Sequence, residues 1–201
     1  SAAIIYYFLN DTKFIDIEYK TANSISKLIK QKLSPENLTQ IKNSIRDSLR
    51  KIIPDVNLSD NTITEITNEI VVFFKKLPSN TKNISVTFYR YLQNKLSGHP
   101  KIISGLSRSG RSIRDLTINL GRSVINRFSS IINNIRRNTN YLLKKAKEAL
   151  KFTTKTTKEE KIKEYINKIK ELLNSPEIGE INNEEIQNII NILSKEDLEA
   201  E

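Results

Sequence analysis

Residues 112–151 have the sequence SIRDLTINLGRSVINRFSSIINNIRRNTNYLLKKAKEALK, in which apolar side chains recur at helical spacing. At about 100° of rotation per residue, they fall on one stripe of a helix. The members of this stripe are Ile113, Leu116, Leu120, Val124, Phe128, Ile131, Ile135, Leu142 and Ala146. Ser112 followed by Asp115 is a capping-box pattern, typical of a helix start. The stretch therefore predicts one long amphipathic helix, in which Gly121 either kinks the axis or permits close packing.

The opposite face of this predicted helix is strongly basic. A solvated helix usually pairs its lysines with glutamates four residues away, but Asp115 is the only acidic residue between positions 75 and 147. This lack of compensating acids indicates an external polyanion as the partner. The basic positions on this face are Arg111, Arg122, Arg136, Arg137, Lys144, Lys147 and Lys151.

Charge is also segregated along the chain, whose net charge is +10. Residues 75–158 hold 19 Lys and Arg against two acids, a net of +17, while residues 1–74 sum to zero and residues 159–201 sum to −7. Such asymmetry between segments is typical of a chain that binds a charged partner. We predict four regions: a near-neutral 1–78 with a β-hairpin and helices, a basic helical 79–152, a linker 153–158 and an acidic αα-hairpin 159–201.

Helical periodicity with readable ends covers most of the remaining sequence. Ser34-Pro35-Glu36 supplies an N-cap, a proline at the first helical position and an early acid. Thr157 and Glu160 form a second capping box. The spacing predicts helices near 24–33, 34–53, 59–77 and 83–96 and an αα-hairpin over 157–194. The segment Ser104–Arg111, rich in serine, glycine and arginine, is predicted to be a connector.

The first residues are predicted to form a β-hairpin. Ala3–Leu9 is an apolar, β-prone run, Asn10–Thr12 is turn material, and Ile15, Ile17 and Tyr19 alternate onto one face. A two-stranded hairpin is marginal alone, so we expect it to pack on the helices or to pair with another chain's sheet edge. The predicted fold class is mainly α, a multi-helix bundle with a short N-terminal β-hairpin and a C-terminal αα-hairpin.

Composition excludes several kinds of site. The chain has no cysteine, so disulfides, thiolate metal ligands and cysteine nucleophiles are absent. The single histidine, His99, lies in the turn-forming string Ser97–Pro100 and has no partners for a zinc site or a Ser/His/Asp mechanism. We therefore predict no enzyme, and no catalytic residue, metal, cofactor or small-molecule substrate. Carboxylate-only magnesium chemistry is the one remaining route to catalysis.

No apolar run reaches the roughly 18 residues that a membrane-spanning helix needs. The apolar run Ala2–Leu9 is short and lacks the preceding basic residue of a signal peptide. We therefore expect a soluble protein without a transmembrane segment, located inside a cell or within a virion.

Arginine enrichment favours phosphate as the anion, because the guanidinium fork can engage two oxygens at once. Eight of the ten arginines lie between Arg90 and Arg137. Three arginines bracket the expected start of the long helix, where unpaired backbone N–H groups favour an anion. The predicted nucleic-acid-binding residues are Arg108, Arg111, Arg114, Arg122, Arg136, Arg137, Lys144, Lys147 and Lys151.

The sequence Phe88-Tyr89-Arg90-Tyr91 admits two interpretations. The aromatic rings could stack on the bases of a single strand beside a cation. Because aromatic residues at helical spacing mostly pack inside proteins, a core position for Phe88 with the tyrosines at its margin is favoured.

These observations favour a non-enzymatic, self-assembling structural protein that coats, packages or scaffolds DNA or RNA through phosphate contacts without reading sequence. Its segregated charge, Ile- and Asn-rich composition and lack of cysteine resemble helical coat proteins of filamentous archaeal viruses, although no motif carries this resemblance. A second hypothesis is a helical assembly subunit whose basic middle binds an acidic partner or a neighbour's acidic tail. A third is a peripheral protein on anionic lipid.

Overall fold

The computed structural model describes residues 15–151, 154, 156–176, 178, 179, 181, 186–188, 190 and 191, and these residues are mainly helical. The predicted mainly α class is confirmed. The helices are α1 (Tyr19–Gln31), α2 (Pro35–Ile52), α3 (Asp60–Lys75), α4 (Ile84–Ser97), α5 (Pro100–Ser109), α6 (Ile113–Lys151) and α7 (Lys158–Leu173).

Four of these helices begin at a hydroxyl side chain that accepts a hydrogen bond from the backbone N–H three residues on. Such an N-cap satisfies one of the four N–H groups that have no partner inside the helix, and contributes about 1 kcal/mol. The predicted starts of the helices at Ser34 and Thr157 and of the long helix at Ser112 are thereby confirmed. The cap pairs are Ser34–Asn37, Ser59–Thr62, Ser112–Asp115 and Thr157–Glu160, at 3.0–3.2 Å.

The chain divides into two compact units, residues 1–131 and residues 132–201, and the boundary falls inside α6. In unit 1, α3 packs against α1, α2 and α4, and α4 packs against α5. The division of the chain into four regions by charge stays a prediction.

The core of unit 1 contains a cluster of phenylalanine rings. Phe74 on α3 lies 5.3 Å from Phe88 on α4 and 5.8 Å from Phe128 on α6, measured between ring centroids. Phe88 is 0% exposed and Tyr89 is 1% exposed. The core position predicted for Phe88 is therefore confirmed, whereas Tyr89, predicted at the margin of the core, lies inside it. Neither ring can offer a stacking surface.

The core of unit 2 joins the second half of α6 to α7 and to the residues after it. Its buried members are Leu142, Ala146, Tyr165, Ile169, Ile178 and Ile186. The first helix of the predicted αα-hairpin is α7. Residues 186–188, 190 and 191 are helical as well, while the other residues of the predicted partner helix lie outside the described part of the chain.

The predicted β-hairpin is not found where the structure describes its sequence. Ile15 and Ile17 are buried in a segment that contains no strand, and Tyr19 is the first residue of α1. The alternation of apolar residues arises because this segment packs one face into the core of unit 1. The backbone N–H of Ile17 donates to Ser85 Oγ, where a strand residue would donate to a neighbouring strand. The other predicted strand, Ala3–Leu9, lies outside the described residues.

The predicted connector Ser104–Arg111 is wrong, because α5 extends to Ser109. Ile102 and Leu106 are buried one helical turn apart, together with Gly105. A Cβ at Gly105 would overlap the side chain of Val56 and contact Ile53. Gly105 therefore permits α5 to pack closely against Ile53 and Val56. The prediction failed because glycine, serine and arginine together are also typical of loops.

Gly110 explains why the loop after α5 is short. Its φ of 66° is the left-handed conformation that glycine adopts without strain. The N–H of Arg111 donates to the Leu106 carbonyl at 3.1 Å, and the N–H of Gly110 donates to the Ser107 carbonyl at 3.4 Å. This is a Schellman motif, and it leaves three residues between the end of α5 and the start of α6.

Gly121 is a site of close packing. A Cβ at this position would lie 2.8 Å from Ile15 Cδ1 and 3.3 Å from Phe88 Cε1. Both neighbours are buried. Of the two roles predicted for this glycine, the structure supports the close approach of α6 to the rest of unit 1.

Candidate nucleic-acid interface

The apolar stripe of α6 is buried as predicted. Eight of its nine members are at most 8% exposed, and Ile113 is half-buried. Thr117 and Thr139 are buried too, and each hydroxyl donates to the carbonyl four residues earlier, at 2.7 and 2.8 Å. These polar groups therefore need no partner on another helix, and they do not interrupt the packed side of α6.

Five of the predicted binding residues are exposed cations on the part of α6 that belongs to unit 2. They are Arg136, Arg137, Lys144, Lys147 and Lys151. Arg137 and the three lysines have no carboxylate partner within 4.0 Å among the residues that the structure describes. We call Arg137, Lys144, Lys147 and Lys151 the basic face of unit 2. Among the described residues no carboxylate balances this charge locally, a pattern that is typical of surfaces that bind polyanions.

Three acidic residues of unit 2 pair with lysines that do not belong to this face. Glu148 on α6 pairs with Lys145 at 3.7 Å, and the Lys145 ammonium also lies 5.5 Å from the centroid of the Tyr141 ring. On α7, Glu159 and Glu171 pair with lysines of the same helix, Lys163 and Lys168, at 3.7 and 3.5 Å. Surface pairs of this kind contribute at most about 1 kcal/mol. These three carboxylates pair with lysines outside the basic face of unit 2.

The other four predicted binding residues belong to unit 1. Arg108 and Arg122 are exposed, on α5 and α6 respectively; Arg111 is exposed in the loop between the two helices, and Arg114 in the first turn of α6 is half-buried. The start of α6 between them is already capped, since Ser112 Oγ accepts from the N–H of Asp115. One backbone N–H at this helix start therefore already has an acceptor within the chain, and anion binding by the three arginines around it stays a prediction.

Unit 1 also contains a polar groove between α2 and α6 that the sequence did not indicate. The groove has a volume of about 490 Å³ and is lined by Ser44, Asp47, Ser48, Lys51, Ser123, Asn126, Arg127 and Ser130. Ser48 Oγ donates to Ser123 Oγ at 2.7 Å, and Arg127 Nε donates to Ser44 Oγ at 2.9 Å. We call it the serine groove.

A second cavity in unit 1, of about 420 Å³, lies beside Glu69 on α3 and Tyr91 and Lys95 on α4. The Tyr91 hydroxyl donates to the Glu69 carbonyl at 2.9 Å, and Glu69 Oε2 is buried without a hydrogen-bond partner in the described structure. Burial raises the pKa of Glu69, an effect that the Coulombic interaction with Lys95 partly opposes. This carboxyl belongs to no group of metal-ligating side chains among the described residues.

The described residues contain neither a metal-binding cluster nor a membrane-spanning helix. Within this part of the chain, no three His, Cys, Asp or Glu side chains are grouped so that they could hold a metal ion. No described helix combines the length and the apolar character that a membrane-crossing segment needs.

Comparison of the chain with protein-family models, with curated proteins and with solved structures found no match. The proposed function therefore rests on the residues and their geometry alone.

Proposed function

We propose that this chain is a nucleic-acid-binding structural protein, which coats, packages or scaffolds DNA or RNA through contacts to phosphate groups. The observation that carries the proposal is the basic face of unit 2, four exposed cations on one helix without a carboxylate partner in the described residues. When such a row of cations binds a nucleic acid, it neutralises phosphate charges and releases the counterions condensed on the nucleic acid, which favours binding.

The arrangement suits a phosphate backbone better than a single small anion. At about 1.5 Å of rise per residue, Arg137 and Lys151 are separated by about 21 Å along α6. Duplex DNA carries a negative charge for roughly every 1.7 Å of its axis, so one row of cations can meet several phosphates. Long exposed lysines act as mobile point charges, while the guanidinium of Arg137 can engage two oxygens of one phosphate.

Such contacts position the protein without reading base sequence. A coat or packaging role also requires many copies along one nucleic acid, and we expect binding to be cooperative along the strand. We therefore expect similar affinities for unrelated sequences of equal length, with a steep dependence on salt concentration.

The test is a fluorescence-anisotropy titration of the full chain against labelled duplex DNA, single-stranded DNA and RNA of two unrelated sequences, each at several salt concentrations. Poly-glutamate of matched charge, labelled in the same way, is the control for simple attraction to any polyanion. The proposal predicts saturable binding to at least one nucleic acid, weakening linearly on a log–log plot against salt. Absence of binding at low salt, or tighter binding of poly-glutamate than of every nucleic acid, contradicts it; the second outcome favours an acidic protein partner.

A further inference from the structure

The serine groove of unit 1 holds more hydrogen-bond donors than the described residues can satisfy. Ser44 Oγ accepts from Arg127 Nε, but within the described chain the Ser44 hydroxyl proton has no acceptor of its own. Ser123 Oγ likewise accepts from Ser48, and nothing described accepts the Ser123 proton. Ser44 is 9% exposed and Ser123 is half-buried. Because polar groups inside proteins normally use their donors, these two hydroxyl protons are suited to an acceptor that enters the groove.

Two cations add to this set of donors. Arg127 uses its Nε–H on Ser44, which fixes the guanidinium in the groove and leaves the two terminal nitrogens without a hydrogen bond to a described residue. Lys51 also lines the groove and has no ion-pair partner in the described part of the chain. Asp47 supplies the single negative charge among the lining residues and is exposed. The groove therefore has a net positive charge and an excess of donors.

The hydroxyl donors and cations of the serine groove match the hydrogen-bonding needs of a tetrahedral oxyanion. A phosphate group offers three or more acceptor oxygens in different directions, which suits two hydroxyl protons, a fixed guanidinium and an ammonium at once. A volume of about 490 Å³ falls in the range of small-molecule sites and exceeds what a bare ion fills. The additional space is suited to the carbon skeleton of an ester.

We propose that the serine groove binds the phosphate group of a phosphate ester, held by Ser44, Ser123, Arg127 and Lys51. The ester is either a free phosphorylated compound or a phosphate in a nucleic-acid strand. The inference does not depend on the proposed function, because the groove lies in unit 1 and shares no residue with the basic face of unit 2.

The test is a two-dimensional ¹⁵N–¹H NMR titration of the full chain with sodium phosphate, adenosine monophosphate and a single-stranded oligonucleotide, at ionic strength held constant with chloride. The backbone amides of residues 44, 48, 51, 123 and 127 are expected to shift in a saturable manner. Shifts with phosphate and the monophosphate indicate a site for free phosphate esters. Shifts with the oligonucleotide alone indicate a backbone phosphate. No shift in the groove with any of the three overturns the proposal.

Matched variants separate a built site from general charge attraction. Arg127→Gln should weaken binding about tenfold or more, and Ser44→Ala should weaken it several-fold, because each removes a donor to the anion. Arg50→Gln is the control for Lys51→Gln: both residues are exposed and adjacent on α2, but Arg50 does not line the groove. Binding weakened only by the groove variants supports the proposal, and equal effects of Arg50→Gln and Lys51→Gln contradict it.

Folding of each variant is checked by circular dichroism. If Arg127→Gln unfolds, the comparison of Lys51→Gln with Arg50→Gln decides the question, because these exposed positions should change stability by only about 0.5 kcal/mol or less. Removing charges from the basic face of unit 2 should leave groove shifts unchanged. Failure of that face to bind nucleic acid is thus distinguishable from failure of the groove to bind phosphate.

Discussion

The backbone N–H of Ile17 donates a hydrogen bond to Ser85 Oγ at 3.0 Å, and this contact attaches the segment before α1 to the first turn of α4. Ile17 is 6% exposed, so its N–H has little access to water as an alternative partner. The hydroxyl of Ser85 thus takes the role that a neighbouring strand would have in a sheet.

We expect Ser85→Ala to destabilise the protein by about 1–3 kcal/mol, because it leaves the Ile17 N–H buried without an acceptor. The measurement is the urea midpoint of unfolding. Ser97→Ala is the matched control: it deletes the same atom from an exposed residue on the same helix, whose hydroxyl donates to the Gln93 carbonyl. Equal midpoints for the two variants would show that the Ile17 contact contributes no stability.

Gly105→Ala is expected to cost about 1–3 kcal/mol of stability, since the new Cβ would overlap the Val56 side chain and force α5 away from it. Thermal unfolding followed by circular dichroism measures the effect. Ser104→Ala, at the exposed neighbouring position, should leave the midpoint nearly unchanged. A Gly105→Ala variant as stable as wild type would mean that α5 does not pack closely on residues 53–56.

Tyr165→Phe should leave the stability of unit 2 unchanged or raise it by up to about 1 kcal/mol. The Tyr165 hydroxyl is buried without a hydrogen-bond partner in the described structure, and burial raises the pKa of its phenol. Removing the hydroxyl while keeping the ring removes the free-energy cost of burying an unsatisfied polar group. Tyr141→Phe, at an exposed position, is the control. A clear loss of stability in Tyr165→Phe, seen in a chemical denaturation curve, would reveal a hydroxyl partner.

Glu69→Gln should stabilise unit 1 relative to wild type at neutral pH, with the difference disappearing in acid. Burial raises the pKa of Glu69 in the folded state, so the folded protein holds this proton more tightly than the unfolded chain. The contribution of the group to stability is therefore complete below the unfolded pKa, about 4.3, and is lost as pH rises through the folded pKa. Unfolding midpoints of both proteins across this window provide the test, with Asp55→Asn as an exposed control. A constant offset at all pH values contradicts the prediction.

On the basic face of unit 2, the double variant Arg137→Gln/Lys144→Gln should weaken binding to every nucleic-acid sequence alike. Each phosphate interaction that the variant removes should flatten the log–log salt dependence by roughly 0.9 unit on duplex DNA, or by roughly 0.7 unit on a single strand. Lys161→Gln/Lys170→Gln removes the same charge from exposed positions on α7 and serves as the control. If both double variants change the slope equally, the phosphate interactions are not localised on α6.

The sequence predicted those features of the fold that depend on neighbouring residues. Helix starts at Ser34, Ser112 and Thr157 follow from a hydroxyl and the N–H three positions on, and the buried stripe of α6 follows from helical spacing alone. The same local rules gave wrong secondary-structure predictions for residues whose partners are distant in the chain. Ile17 alternates like a strand residue but bonds to Ser85, and Gly105 resembles a loop residue but faces Val56.

The exposed cations of the candidate interface were also predictable, because exposure on an amphipathic helix follows from position. The serine groove was not. Ser44 and Ser48 are one turn apart on α2, a spacing that is unremarkable by itself, and their contacts are to Arg127 and Ser123, 83 and 75 positions away. Only the packing of α2 against α6 makes these hydroxyls and cations one surface.

The basic face of unit 2 also has a consequence for the free protein. Lys147 stands three residues after Lys144 and four before Lys151, separations at which like charges on a helix repel each other. Dissolved ions screen this repulsion and equally screen the attraction to a polyanion. If the basic face of unit 2 binds a polyanion as proposed, a rise in ionic strength therefore weakens that binding and also weakens the repulsion between the lysines of the free helix.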